Sequence, residues 1–313
     1  MNDESGFYRR NTMLLKKSCW IVFFLSLILS AGTADAKVSK GVWWWRGGDA
    51  EHPEVAERRM EFLSKHGVTE IYFWADPKPA RHGVIRRFVK MAKAHGMRVA
   101  CLSGDVSWIR PGSRGFTVTW ERYLAYQQAA APDERFYALH LDVEPHQDDK
   151  LDDSRKWQLY ADFVLRVGAD VHSAGEKIEW DIPFWLDKKR VAYGDRPEAP
   201  LLELLLDCSD CLTLMSYRDT AKETLAVSQT EIGMVANAKR KVRIVLGAET
   251  GNTGEGSIVT YFEEGAEKMN AELTIVERAL EEAKIPGGAG IAIHHLESWE
   301  KLVEASSKKE TGK

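Results

Sequence analysis

Val242-Arg-Ile-Val-Leu-Gly-Ala-Glu-Thr250 opens with five residues of which four are apolar, and brings a carboxylate, Glu249, to its end just before Thr250. The run is too short for an ordinary helix and is rich in β-branched side chains. It reads as a strand buried on both faces, as in a parallel sheet covered by helices. Seven similar runs recur at 41–45, 68–74, 97–102, 136–144, 177–185, 211–217 and 289–295, with this one at 242–249. Between them lie segments with helical spacing, at 53–66, 84–95, 117–130, 152–174, 220–239 and 260–284. Pro53 opens one of these, and His66-Gly67 and His95-Gly96 close two others with a basic residue and then glycine.

Strand and helix thus alternate, and eight such units most simply close into a single (β/α)8 barrel of the α/β class. An open doubly wound sheet is the rival arrangement. It loses ground because no glycine-rich phosphate loop follows any early strand.

The ends of the chain read differently from its middle. Arg9, Arg10, Lys16 and Lys17 precede an apolar run from Cys19 to Ala31, and Ala34-Asp-Ala36 has the small residues of a signal-peptidase site. The run is about 13 residues long, short of the roughly 20 that span a bilayer. Residues 1–36 are therefore expected to be a secretory signal peptide, 37–305 the barrel, and 306–313 a disordered tail. An exported product, periplasmic or extracellular, follows, with no stable membrane insertion after cleavage. The net charge of −4 argues against a nucleic-acid partner. Cys208-Ser-Asp-Cys211 leaves open a local disulfide or two inert thiols.

In a barrel of this kind the active site lies at the C-terminal ends of the strands. Those ends read Trp43 to Arg46, Trp74 and Asp76, Ser103 and Asp105, Asp142 and Glu144, Asp181 and Trp185, Ser216 and Tyr217, Glu249 and Thr250, His294 and His295. Acids and aromatic rings crowd the ends while the strand bodies stay apolar. A bowl floored by carboxylates and walled by flat rings suits a ligand that is apolar on one face and hydroxylated at its edges, which is a sugar.

Within the bowl, Asp142 and Glu144 stand two apart, so they share one face of their strand, and Pro145 ends the ladder. Each raises the pKa of the other, which keeps one protonated near neutrality. Glu144, at the tip, is the candidate acid for glycosidic cleavage, and Asp142 is expected to share and orient its proton. The competing reading is a purely structural pair, with Asp142 capping a loop.

Leu141-Asp-Val-Glu144 resembles the end of the DxxDxDxE motif of chitinase-type family 18 glycoside hydrolases, and Met215-Ser-Tyr217 resembles their MxY motif. The resemblance implies an acid role for Glu144, and for Asp142 and Tyr217 contacts with the acetamido group of the substrate. The chain departs from the pattern at Tyr137 and His140, where further acids are usual, at Arg218, where Asp is usual, and at His294-His295, where Trp is expected. A second resemblance is to barrel glycosidases with catalytic Glu on strands four and seven, which would make Glu249 a nucleophile. Val143 stands where that clan has Asn.

Alternation sends Trp43 and Trp45 to one side and Trp44 to the other, so at least one of the three is plain packing. His294 and His295 likewise face opposite ways, which argues against a two-histidine metal site, and no metal or cofactor is assigned. A metal-dependent amidohydrolase would need His-x-His where Trp43-Trp-Trp45 stands. Substrate contacts are expected from Trp43, Trp45, Trp74, Asp76, Asp181, Trp185, His294 and His295, with Trp185 equally placed to be a rim residue. Two functions remain: an exported glycoside hydrolase acting on a polysaccharide or amino-sugar glycan, and a noncatalytic carbohydrate-binding barrel of a cell-envelope or exopolysaccharide system. Holding Asp142, Glu144 and Glu249 together is costly without a catalytic use, which favours the first.

Overall fold

The computed structural model describes residues 38–254 and 256–310, so the expected signal peptide at 1–36 lies outside the described residues. The strands are β1 (Ser39–Trp44), β2 (Glu70–Trp74), β3 (Arg98–Ser103), β4 (Leu139–Leu141), β5 (Ile178–Pro183), β6 (Arg190–Tyr193), β7 (Arg196–Pro200), β8 (Cys211–Met215), β9 (Arg243–Glu249) and β10 (Ala289–His294). Eight of them close into a barrel in the order β1-β10-β9-β8-β5-β4-β3-β2, every pair parallel. The expected single (β/α)8 barrel is what forms. β6 and β7 pair only with each other, as an antiparallel hairpin between the fifth and sixth barrel strands.

The helices are α1 (Pro53–Lys65), α2 (His82–Ala94), α3 (Gly115–Ala129), α4 (Asp153–Ser173), α5 (Leu201–Cys208), α6 (Ala221–Val227), α7 (Gln229–Ala236), α8 (Ala266–Ala283) and α9 (Leu296–Glu310). Just beyond α1 and α2, Gly67 and Gly96 adopt φ of 73° and 77°, the left-handed turn that ends a helix at no steric cost. Asp152 caps α4 by accepting from the Arg155 backbone N–H at 2.9 Å.

Three expectations need correction. The helix expected at 220–239 is two, broken at Ser228. The one expected from 260 begins only at Ala266, after Gly265 turns the chain at φ 90°. The tail expected from 306 is helical as far as Glu310, because the Ser306 hydroxyl accepts the free N–H of Ala266 at the start of α8, 3.0 Å away, and so ties the last helix down.

The core has two compartments. Between sheet and helices, Trp44 packs edge-on against Phe73 and Phe88. Inside the barrel, Trp43, Tyr72, Ala100, Leu102, Ala138, Cys211, Val245 and Ala292 form a smaller cluster. Trp44 is therefore the packing residue of the tryptophan triplet. Below the inner cluster the barrel is charged. Glu70 receives Arg98 at 2.7 Å and Arg243 at 2.5 Å, and Arg243 also lies 3.7 Å from Glu179. Cys208 and Cys211 are free thiols.

Candidate active site

A cleft of about 360 Å³ opens at the C-terminal ends of the strands. Nine of the sequence-derived candidates line it: Trp43, Trp45, Asp142, Glu144, Asp181, Trp185, Tyr217, Glu249 and His294. They come from β1, β5, β9 and β10 and from the segments following β1, β4, β5 and β8, so barrel closure brings them together.

The ladder of β4 stops at Leu141, earlier than the expected 144, but the Asp142 N–H still donates to the Ser103 carbonyl at 3.0 Å. Gly104 lets these backbones meet, since a Cβ there would lie 1.7 Å from the Asp142 carbonyl oxygen. Asp142 is thereby held deep. Burial, then the charges of Asp181 and Glu144, push its carboxyl well above the usual carboxylate range, against the opposing pull of His140. Its Oδ1 is buried without a hydrogen-bond partner among the described residues. Glu144 sits nearer the mouth, with His146 Nε2 3.0 Å from its Oε2.

Behind Asp142, His140 bridges two acids of β5. Its Nδ1 is 3.0 Å from Glu179 and its Nε2 2.9 Å from Asp181, and Tyr72 stacks on the ring at 4.1 Å. Burial alone would depress this imidazole, but the two carboxylates outweigh it and raise the pKa to about 10. Both ring nitrogens therefore donate. Asp181 also accepts from the Trp43 indole at 2.9 Å, and Glu179 from the Tyr137 hydroxyl at 3.0 Å. Burial raises Glu179, yet the bond from His140 and the charges of His140, Arg243 and Arg98 outweigh it and hold the group below its usual value. Tyr137 and His140 thus both donate to acids of the neighbouring strand.

Glu249 is buried and fully occupied. Its Oε1 accepts the backbone N–H groups of Thr250 at 2.7 Å and Gly251 at 2.6 Å, and its Oε2 lies 2.5 Å from His294 Nδ1. Trp45 fixes the tautomer of that histidine. An indole N–H only donates, and it points at His294 Nε2 over 3.2 Å, so the ring proton sits on Nδ1 and goes to Glu249. Tyr217 stands beside His294, its ring centroid 5.6 Å away. Burial, then the carboxylates headed by Glu249, push its hydroxyl well above the usual tyrosine range, so Tyr217 remains a donor.

Three candidates lie elsewhere. Asp76 pairs with Arg122 at 2.9 Å and Lys78 at 3.7 Å, outside the cleft lining. Trp74 leans on Trp45, centroids 5.4 Å apart, behind the cleft wall. His295 lies 2.8 Å from Glu297 and lines a neighbouring cavity with Thr250 and Phe262. Trp185 is both wall and rim: it lines the cleft and packs edge-on against Trp157 at 5.7 Å.

The lining also includes Phe184, just past β5, and His146, Gln147, Arg218, Thr253 and Val259, residues on connections where no periodicity points. Arg218 and His146 carried a signal, being unlike their surroundings: a cation directly after the MxY tyrosine, and a histidine two past the acid. Among the described residues, no group of three or more His, Cys, Asp or Glu is placed to hold a metal ion, and no helix is long and apolar enough to cross a membrane.

No protein-family model and no curated protein matches the chain. Solved structures similar to it include fungal beta-1,4-galactanases, at 14% identity and a TM-score of 0.49, covering 83% of this chain and 89% of that one. A sugar phosphate isomerase/epimerase from Parabacteroides distasonis is 14% identical with a TM-score of 0.46, covering 87% and 97%. A class V chitinase from Pseudomonas fluorescens is 13% identical with a TM-score of 0.43, covering 68% of each chain.

Proposed function

We propose that the protein is an exported glycoside hydrolase that cleaves an amino-sugar glycan, with Glu144 as the general acid and the substrate's own acetamido oxygen as the nucleophile. The observation that carries this reading is the contrast between the two possible partners of Glu144. Glu249 has both carboxylate oxygens committed, to two amides and an imidazole, and is buried. Asp142, in contrast, has a buried oxygen with no partner among the described residues, beside Glu144 and Tyr217 in one cleft. An acetamido group supplies what that arrangement lacks: an N–H for Asp142 and a carbonyl oxygen for the Tyr217 hydroxyl.

In the reaction, Glu144 donates its proton to the glycosidic oxygen as the bond to the anomeric carbon breaks. The acetamido oxygen attacks that carbon, while the Asp142 carboxyl accepts the amide N–H and so holds the group in line for attack. Glu144, now a carboxylate, takes a proton from the water that reopens the ring. The configuration at the anomeric carbon is retained.

The noncatalytic carbohydrate-binding reading draws on one observation, the 3.0 Å contact of His146 with Glu144, which occupies an oxygen the acid needs. One experiment separates the two. The wild-type protein is incubated with β-linked N-acetylglucosamine oligosaccharides and with analogues bearing a 2-hydroxyl in place of the 2-acetamido group. Only the former are expected to be cleaved, and Glu144→Gln is expected to lower that rate by about 10³-fold or more with the fold intact. Equal turnover of both sugars would exclude the acetamido nucleophile, and full activity in Glu144→Gln would exclude the acid assignment.

A further inference from the structure

Three of the four acids of the cleft have their charge met or suppressed from behind. Asp181 is held by the His140 imidazolium and Glu249 by two amides and a histidine N–H, while Asp142 is pushed toward its neutral form. Glu144 faces the mouth, with His146 beside it.

Arg218 is the reverse case. It lines the same cleft, and its guanidinium lies over the Phe184 ring at 4.8 Å. One of its nitrogens, Nη1, donates to the Tyr217 carbonyl at 2.6 Å. Among the described residues it has no acidic partner. A guanidinium has five N–H donors in a planar fork suited to a carboxylate, and most of these are unspent here. Stacking on Phe184 and the bond to Tyr217 hold the fork in place before any ligand arrives, which lowers the ordering cost of binding.

We infer that Arg218 forms an acidic-sugar subsite, so that the glycan this cleft takes carries a carboxylate close to its acetamido group. The inference rests on the glycan reading above and adds the charge of the substrate. Tyr217 and Arg218 are consecutive, with Cα atoms about 3.8 Å apart. The carboxylate therefore belongs to the sugar ring that carries the acetamido group or to the ring next to it. Two kinds of sugar offer this chemistry, a uronic acid and an amino sugar with a lactyl ether.

Isothermal titration of the full-length Glu144→Gln protein, which binds without cleaving, tests the inference with three probes and their carboxyl-reduced counterparts. The first is a hexasaccharide of alternating glucuronic acid and N-acetylglucosamine. The second is a peptide-free glycan of alternating N-acetylglucosamine and N-acetylmuramic acid. The third, a neutral N-acetylglucosamine hexamer, has no carboxylate to reduce and serves as reference.

At least one acidic probe is expected to bind about tenfold more tightly than its reduced form, with a margin that shrinks as salt rises. That margin is expected to vanish in Glu144→Gln/Arg218→Met and to persist in part in Glu144→Gln/Arg218→Lys, which keeps the charge. Which acidic probe shows it identifies the source of the carboxylate. If acidic and reduced forms bind alike while the neutral hexamer binds, the subsite is overturned and the glycan reading stands. If the margin survives Arg218→Met, the carboxylate is read elsewhere and the assignment to Arg218 is overturned. Failure of every probe to bind removes both the subsite and the glycan reading.

Discussion

At the scale of single residues, the chemistry of the cleft depends on a charge carried behind it. His140 lies between Glu179 and Asp181, and its pKa of about 10 makes it the cation that allows two acids to be buried there. Replacing His140 with Leu would leave Asp181 with no cation and Glu179 with only Arg243, 3.7 Å away, at a cost of about 3–5 kcal/mol, measurable by urea unfolding at pH 7. The pH dependence follows from the direction of the shift. A histidine raised from 6.5 to about 10 contributes fully below pH 6.5 and loses its contribution as pH rises through 10. The wild type should weaken across that window, and His140→Leu should lack this component. Asp142, Glu144 and Tyr217 were legible beforehand because strand alternation and a short motif point to them. His140 was legible only as a departure from that motif, since nothing local in the chain reveals that Glu179 and Asp181, on the next strand, are its partners.

At the scale of elements, regular strands and amphipathic helices were readable, and the exceptions share a cause. The β6–β7 hairpin is charged and contains Pro197 and Pro200, so it reads as a loop; only Val191 and Ala199 turn inward and are buried. The break between α6 and α7 falls at Ser228, inside a continuous helical pattern, where the backbone leaves helical geometry at ψ 0°. α7 carries a further buried acid, Glu231, neither of whose carboxyl oxygens has a hydrogen-bond partner on another of the described residues. Burial raises its pKa from 4.5 to about 7. The folded state therefore binds the extra proton between those values, and stability falls as pH rises through that window. Glu231→Gln should be near neutral for stability at pH 4.5 and should stabilise by on the order of 2 kcal/mol at pH 8, read from denaturation midpoints at the two pH values.

At the scale of the whole molecule, the barrel followed from counting alternating runs, whereas much of the cleft's lining did not, because it comes from connections with no periodicity. The closed sheet also settles the cysteines. Cys208 ends α5 and Cys211 starts β8, and both remain thiols, with Cys101 and Cys211 buried. Burial, then Asp207, pushes the Cys208 thiol up to about 11. Thermal unfolding should therefore be unchanged by a reductant, and a thiol-specific reagent at pH 8 should react slowly with Cys208 in the native protein and with Cys101 and Cys211 only after denaturation. A melting point lowered by reductant would reveal a disulfide. The walls of the cleft have a further consequence. Trp43, Trp45 and Trp185 all border the space a ligand enters, and Trp45 and Trp43 are tied by their indole N–H groups to His294 and Asp181. An arriving ligand changes the polarity around three fluorophores at once, so the protein carries its own optical gauge of occupancy, with no label attached and no bond cleaved.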